Sequence, residues 1–585
     1  MNAIADAAFG GFGARLDAGA SADADSIASG DHVEIEIVVV RLPDHGSRIG
    51  LPRMRRGASS AKWLAKRSPA PSRRTAWNTP IVSRCAVRRE TGSKRRGAAR
   101  AGEGEQLTGY ADFSILSPRQ VIRIFLVIAG RDMQWIHHPS EVWHAASLQL
   151  SSNRSFAKSS GSAEVADVPA AAGALLTRLG FGLAGAEPGH GEVPHAGLML
   201  DFAARMTDVF EIASPDAPGL QFLAGMTSAS RHLTSPGATG PLSVGGCGAS
   251  FRSAFFACIG EAIERTAQCR PAHAIATQSF PSALERQSDG FKEVVALLGP
   301  RLGADAEIAW LQARNLTTGA ETLVPAELCI RSADLETVAP ATSLSLGCAC
   351  APTLEQAMLA GILEWVERDA TALWWLAGHS PRHIALETLE EAGVLSTIVQ
   401  LRQGQATRRS WLLDITADLG IPCVASVSFD LGGRGFVHGS AARLKLADAA
   451  RAAFVEMCQM EVACHLIAAK GGAGSPRLSA AERRHQQRFE AITAEALPIL
   501  RPLLAPATTI TAEPRPTGLH AVVEELGRSG FECLAVDLTL PELGMPVVKM
   551  IAPGLQPMPS SVRSPRLRQA IAMNEDYRPS DIPLF

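Results

Sequence analysis

One pattern occurs three times in this chain: Ala-x2-Ala-x3-Glu-x2, closed by Glu or Gln. It appears at Ala254/Ala257/Glu261/Glu264, at Ala357/Ala360/Glu364/Glu367 and at Ala449/Ala452/Glu456/Gln459. Offsets of 0, 3, 7 and 10 fall on one stripe of an α-helix. Each segment therefore sets a small-residue patch beside two oxygen-bearing side chains. A single glutamate is ordinarily a solvated residue. Recurrence changes the reading, because an internal repeat is an architectural signature. Three such helices point to carboxylates converging on a shared polycation or phosphate site.

The repeated unit is larger than the helix. Small-residue loops precede each copy: SVGGCGAS at 243–250, LSLGCACAPT at 344–353 and FVHGSAARL at 436–444. Gly347 and Gly439 each lie 17 residues before the first glutamate of their helix, and Gly245 lies 16 before its own. Helices are expected over Phe251–Gln268, Leu354–Trp375 and Ala447–Lys470. Strand-like runs cover Ile308–Asn315, Thr322–Pro325, Trp411–Ile415 and Pro422–Ser428. Strands alternating with long helices predict an α/β (mixed α+β) layered domain built from strand–loop–Glu-helix units, preceded by a poorly ordered N-terminal region.

Three regions follow: 1–105, 106–235 and 236–585. The first is low in complexity, with one strand-like run at Val33–Val40. Residues 41–100 hold seventeen Lys or Arg against Asp44 and Glu90, in a chain of net charge −2. Basic residues from Arg53 and Arg55 to Arg95 and Arg96 lie among Ser, Gly, Ala and Pro without apolar periodicity, which reads as disorder. Trp63 and Trp77 alone supply stacking there, and no recognition-helix pattern is visible, so specific nucleic-acid binding is not expected. Residues 106–235 are mixed. His137, His138 and His144 in HHPSEVWH lack a further well-spaced ligand and read as loop or surface histidines.

Eleven cysteines show no paired CxxC spacing. The start reads as no signal peptide, and Val121–Gly130 is too short to span a bilayer. The expectation is a cytoplasmic protein with reduced thiols and no membrane association.

A Gly-rich loop feeding a helix offers free N–H groups and a positive dipole end, which suits phosphate. Gly246, Gly248 and Ser250 belong to such a loop, although it matches neither established phosphate fingerprint. Carboxylates suit Mg²⁺, and five glutamates with one glutamine suffice for two ions bridging a triphosphate. Arg265 and Arg368 follow Glu264 and Glu367 directly. They either clamp phosphate or orient the carboxylates by pairing.

These segments resemble the YcaO superfamily. The matches are GCGASFRSAFFACIGEAIER, LGCACAPTLEQAMLAGILEWVERDATALWW, HGSAARLKLADAARAAFVEMCQ and PVVKMIAPGLQPM at 546–558. The resemblance spans about Pro241 to Phe585. It implies that ATP and Mg²⁺ are bound, with Glu261, Glu264, Glu364, Glu367, Glu456 and Gln459 toward metal. It sets Gly246, Gly248, Ser250, Arg252, Arg265, Arg368 and Lys549 toward the nucleotide. VERDATALWW is most similar to the branch that makes thiazoline and oxazoline rings in ribosomal peptides. That branch often ends in a Pro-x-Pro-x-Pro tail near the active site. Here the end is YRPSDIPLF, which gives Pro583 and Phe585 a catalytic role by resemblance, with Pro579 the second proline of a loose match.

Two departures stand out. Cys247 occupies the place of the family's Gly-Lys-Gly lysine, and Leu346 that of an Asn before Gly. Arg252 is a candidate for the missing charge. The implied activity is ATP-dependent activation of a backbone amide of a precursor peptide, closing azoline rings at Cys, Ser or Thr. Alternatives are thioamide formation with a TfuA-type partner and a scaffold that binds peptide without turnover. A separate leader-binding partner protein is expected, and a homodimer is compatible with the reading.

Overall fold

The computed structural model describes residues 135–152, 168–181, 192–228, 242–269, 289–298, 309–331, 344–472, 478, 480–501, 517–578 and 584. Val33–Val40, the basic arm, the 121–130 run, Pro579, Pro583 and Phe585 lie outside these. All of the described residues belong to one compact unit.

The described residues form helices and three antiparallel sheets. The first sheet has the order β1 (Trp135–His137), β2 (Asp208–Ile212), β3 (Gln221–Thr227), β4 (Leu242–Gly248). It runs across position 235, since β3 of the mixed region pairs with β4 from Gln221↔Gly248 to Thr227↔Leu242. The second sheet contains β5 (Trp310–Asn315), β6 (Glu321–Pro325), β7 (Cys348–Cys350), β11 (Leu534–Asp537) and β12 (Val547–Ile551), in the order β6–β5–β11–β12–β7. The third has β8 (Arg408–Asp414), β9 (Cys423–Asp430) and β10 (Val437–Ala442), in the order β10–β9–β8. His137 and His138 at the end of β1 lie 3.5 and 3.4 Å from Asp208 and Glu211 of β2, while His144 is exposed.

Among the described residues three helices precede the repeat: α1 (Ser140–Ser152), α2 (Val168–Arg178) and α3 (Glu192–Arg205). Helix α4 (Phe251–Ala267) starts at Ser250, whose hydroxyl accepts from the Ser253 N–H in a capping box. Its buried stripe of Phe251, Ala254, Phe255, Cys258, Ile259, Ala262 and Ile263 has helical spacing. After α5 (Asp289–Ala296) comes α6 (Leu354–Ala377), capped by Thr353 and ended by Gly378 at φ +72°. Then follow α7 (Leu386–Glu391), α8 (Val394–Arg402) and α9 (Leu446–Gly472). The described helices close with α10 (Ala480–Ala491), α11 (Leu519–Arg528) and α12 (Pro565–Met573).

The arrangement that positions the site is a three-way one. β4, β7 and β10 each lie at the edge of their sheet, and each is followed by a helix of the repeat. Helix α4 packs on β4 and β7, α6 on β7 and β10, and α9 on β10 and β4. Glycine permits the close approach in two units: a Cβ at Gly246 would sit 2.1 Å from the Cys258 nitrogen, and one at Gly439 2.3 Å from the Met457 nitrogen. One core cluster gathers α4, α6 and the five-stranded sheet, with Trp374, Trp375 and Phe436 in ring contact. A second, with Phe210, Phe222 and Phe454, lies between the other two sheets and α9.

A buried polar network ties α9 to α8 and β8. Glu461 is 1% exposed and accepts from Arg402 at 2.7 and 2.9 Å and from Ser428 at 2.7 Å, with Arg408 at 3.1 Å. Removing one partner of such a network leaves a buried charge unpaired, which is strongly destabilising. Asp216, in the turn after β2, accepts from Thr407 at 2.7 Å and pairs with His465 at 2.8 Å. Burial alone would raise its carboxyl, but the bonds from His465 and Thr407 outweigh burial and hold it at about 2 instead of 3.8. A lowered folded value means that this stability is present above pH 3.8 and is lost as pH falls toward 2. Asp216→Asn should therefore lower stability at about pH 6 and flatten the acid limb between about pH 4 and 2, as read by thermal melts across that range.

Candidate active site

Each repeat helix turns its first glutamate back to its own loop. Glu261 Oε2 accepts from the Gly245 N–H at 2.9 Å, Glu364 Oε2 from Gly347 at 2.9 Å, and Glu456 Oε2 from Ser440 at 3.1 Å. These N–H groups lie on, or at the entry to, the three edge strands. An edge strand leaves one row of donors without a neighbouring strand, and here a carboxylate takes the strand's place. The 16- and 17-residue spacing visible in the sequence is the length of chain between the loop and the acceptor.

The second side chain of each helix reaches the next unit. Glu264 Oε1 of α4 accepts from the Cys350 N–H of β7 at 2.9 Å. Glu367 Oε1 of α6 accepts from the Ser440 hydroxyl of β10 at 2.9 Å. Gln459 Oε1 of α9 accepts from the Cys247 thiol of β4 at 2.7 Å. First unit to second, second to third and third to first: six side chains from three distant stretches close a ring.

Charge in the ring is concentrated. Arg265 pairs with Glu261 at 2.9 Å, and Arg368 lies 3.4 Å from Glu364 and 3.8 Å from Glu367. Both arginines thus orient carboxylates. Burial raises the Glu264 carboxyl well above the usual range; the Cys350 N–H opposes this, and the charges of Glu261 and Glu364 add to it. Glu367 is pushed up to about 7, first by burial, against the pull of Arg368 and with the push of Glu456 and Glu364. Carboxylates from three helices therefore feel one another.

The other expected residues divide. Gly246 and Gly248 lie in β4 against α4, and Ser250 is the cap of that helix. Arg252 faces elsewhere: its guanidinium donates to the Leu179 carbonyl at 2.7 Å and lies over the Phe181 and Phe256 rings. Lys549 is 3% exposed and donates to the carbonyls of Leu344 and Leu346 at 2.8 and 2.6 Å, beneath the Gly347 loop. It holds that loop, and burial lowers its ammonium. Leu346 is buried in the core. Pro583 and Phe585 lie outside the described residues; Leu584 between them is fully buried. The motifs contain Ser440, Cys350 and Arg443 but assign them no role; Ser440 and Cys350 are donors of the ring, and the charge of Arg443 acts on Glu367. The signal for Ser440 was its place directly after Gly439.

Among the described residues no three His, Cys, Asp or Glu side chains form a ready metal cage; each ring carboxylate is turned to an N–H, a hydroxyl or an arginine. The fit to Mg²⁺ is in donor chemistry and charge. These are hard oxygen donors, and burial and like charge disfavour the anions of Glu264 and Glu367, a cost that a divalent cation relieves. Raising the Glu367 value from 4.5 to about 7 means its contribution to stability is full below pH 4.5 and is lost as pH rises through 7. Glu367→Gln should accordingly raise the metal-free melting temperature at about pH 8 relative to wild type while weakening Mg²⁺ binding, measured by melts with and without the ion.

The family model described as YcaO cyclodehydratase, ATP- and Mg²⁺-binding, matches residues 245–556. Among solved structures, a heterocyclase in complex with substrate and cofactor is 23% identical, over 62% of this chain and 51% of that one, with a TM-score of 0.48. The YcaO protein of Methanopyrus kandleri bound with AMPPCP and Mg²⁺ is 20% identical, over 60% and 86%, with a TM-score of 0.43. An E. coli microcin synthetase complex is 17% identical, over 57% and 84%, at 0.41. This chain spans about half the length of the first heterocyclase, and no curated protein matches it. No helix among the described residues is long and apolar enough to cross a membrane. With more than half of its length matched by the family model, the chain belongs to the YcaO cyclodehydratase family, whose cofactors are ATP and Mg²⁺.

Proposed function

We propose that this chain is an ATP-dependent cyclodehydratase that forms azoline rings at Cys, Ser or Thr of a ribosomally made precursor peptide. The observation that carries the reading is the closed ring of Glu261, Glu264, Glu364, Glu367, Glu456 and Gln459, joined unit to unit by hydrogen bonds. Glutamates of ordinary surface helices would be solvated; these are buried or half-buried, and those of different helices are electrostatically coupled.

In the proposed reaction a substrate thiol or hydroxyl adds to the preceding carbonyl carbon and gives up its proton. The carbonyl oxygen takes the γ-phosphoryl group of ATP, releasing ADP. The C–O bond then breaks with phosphate as leaving group, and the amide nitrogen loses its proton to give C=N. Oxide is a very poor leaving group and phosphate a good one, which is why the nucleotide is needed. Mg²⁺, when bound, supplies neutralisation of charge on the transferring group. The chain's own part is positioning: the edge-strand bonds fix the first glutamates, and Arg265 and Arg368 hold carboxylate orientation. A separate leader-binding protein is the proposed means of delivering the peptide.

Incubation with ATP, Mg²⁺ and a Ser/Thr/Cys-rich peptide should give a product lighter by one water per ring. Glu261→Ala and Glu364→Ala should each lower peptide-dependent ATP consumption by more than about 100-fold. A heavier product would mean that sulfur had replaced oxygen, the thioamide reaction. Peptide binding with no nucleotide affinity would leave only a scaffold.

A further inference from the structure

Two corners of the ring are alike and the third differs. Where Glu264 meets Cys350 and Glu367 meets Ser440, the helix supplies a carboxylate, which when ionised only accepts. At the third corner α9 supplies an amide. Gln459 is 1% exposed, its Oε1 accepts the Cys247 thiol proton at 2.7 Å, and its Nε2 has no hydrogen-bond partner. A buried amide N–H left unmet is uncommon in folded proteins, because its desolvation is not returned. Turning the amide over would leave Oε1 unmet and set Nε2 against sulfur, a weak acceptor. The thiol bond thus fixes which end of the amide is left to a ligand.

Resting on the reading above, we propose that Gln459 is the anion-binding corner of the ring: its Nε2 donates to a phosphate oxygen of the nucleoside triphosphate, and Cys247 orients it. The carboxylate corners suit cations, whereas phosphate oxygens need donors. A carboxylate at this corner would repel phosphate; the amide donates without adding charge. Gln459 then serves the ring as a donor, its Oε1 already engaged by Cys247. Cys247 is a positioning residue, which gives the departure from the family's lysine a physical role.

The test is calorimetric titration of the full chain with a non-hydrolysable ATP analogue plus Mg²⁺, and with Mg²⁺ alone. Gln459→Glu keeps the shape and replaces the donor. It should weaken analogue binding about tenfold or more, with Mg²⁺ alone bound as well as before or better. Cys247→Ala should weaken analogue binding several-fold, and Cys247→Ser, which restores a donor, should recover most of that loss. Wild-type analogue affinity in Gln459→Glu, or a joint gain in analogue and Mg²⁺ affinity, overturns the assignment alone. A wild type that binds no analogue overturns this assignment and the enzymatic reading together. If Gln459→Glu does not fold, the Cys247 pair decides: equal affinity in Cys247→Ala, Cys247→Ser and wild type overturns the proposal.

Discussion

Three edge strands with outward-facing N–H groups set the problem that this structure solves. A sheet edge needs acceptors, and an edge buried against helices cannot take them from water. In each unit the acceptor is a glutamate one helix away along the chain, so that Glu261, Glu364 and Glu456 are at once strand partners and members of the proposed site. The same bond that terminates a sheet places a carboxylate where the three units meet.

The second set of bonds makes the ring cooperative. Glu264, Glu367 and Gln459 each reach a strand of another unit, so no unit can shift without moving its neighbour's acceptor. Burying this much negative charge disfavours the anions of Glu264 and Glu367. A fold optimised for stability alone would not retain them, which is the usual sign of a site kept for binding or chemistry.

Arginines and the lysine divide between structure and site. Arg265 and Arg368 hold carboxylates within the ring, whereas Arg402 and Arg408 surround Glu461 on the far part of α9. Lys549 is spent on carbonyls of the loop before β7. Residue type alone did not separate these roles; the direction of each side chain did.

The sequence by itself determined the three helices, the Gly-bearing loops and the spacing between loop and first glutamate, because helical periodicity and chain length are local properties. Helix starts at Phe251 and Leu354 agree with expectation since their caps, Ser250 and Thr353, are local as well. Only tertiary structure decided which strand each second side chain meets, that β1, β2 and β3 complete the sheet ending in β4, and that Arg252 turns toward Leu179. Those outcomes depend on contacts between residues far apart in the chain, and pairing across such distances is set by which edges are left open once the sheets have formed.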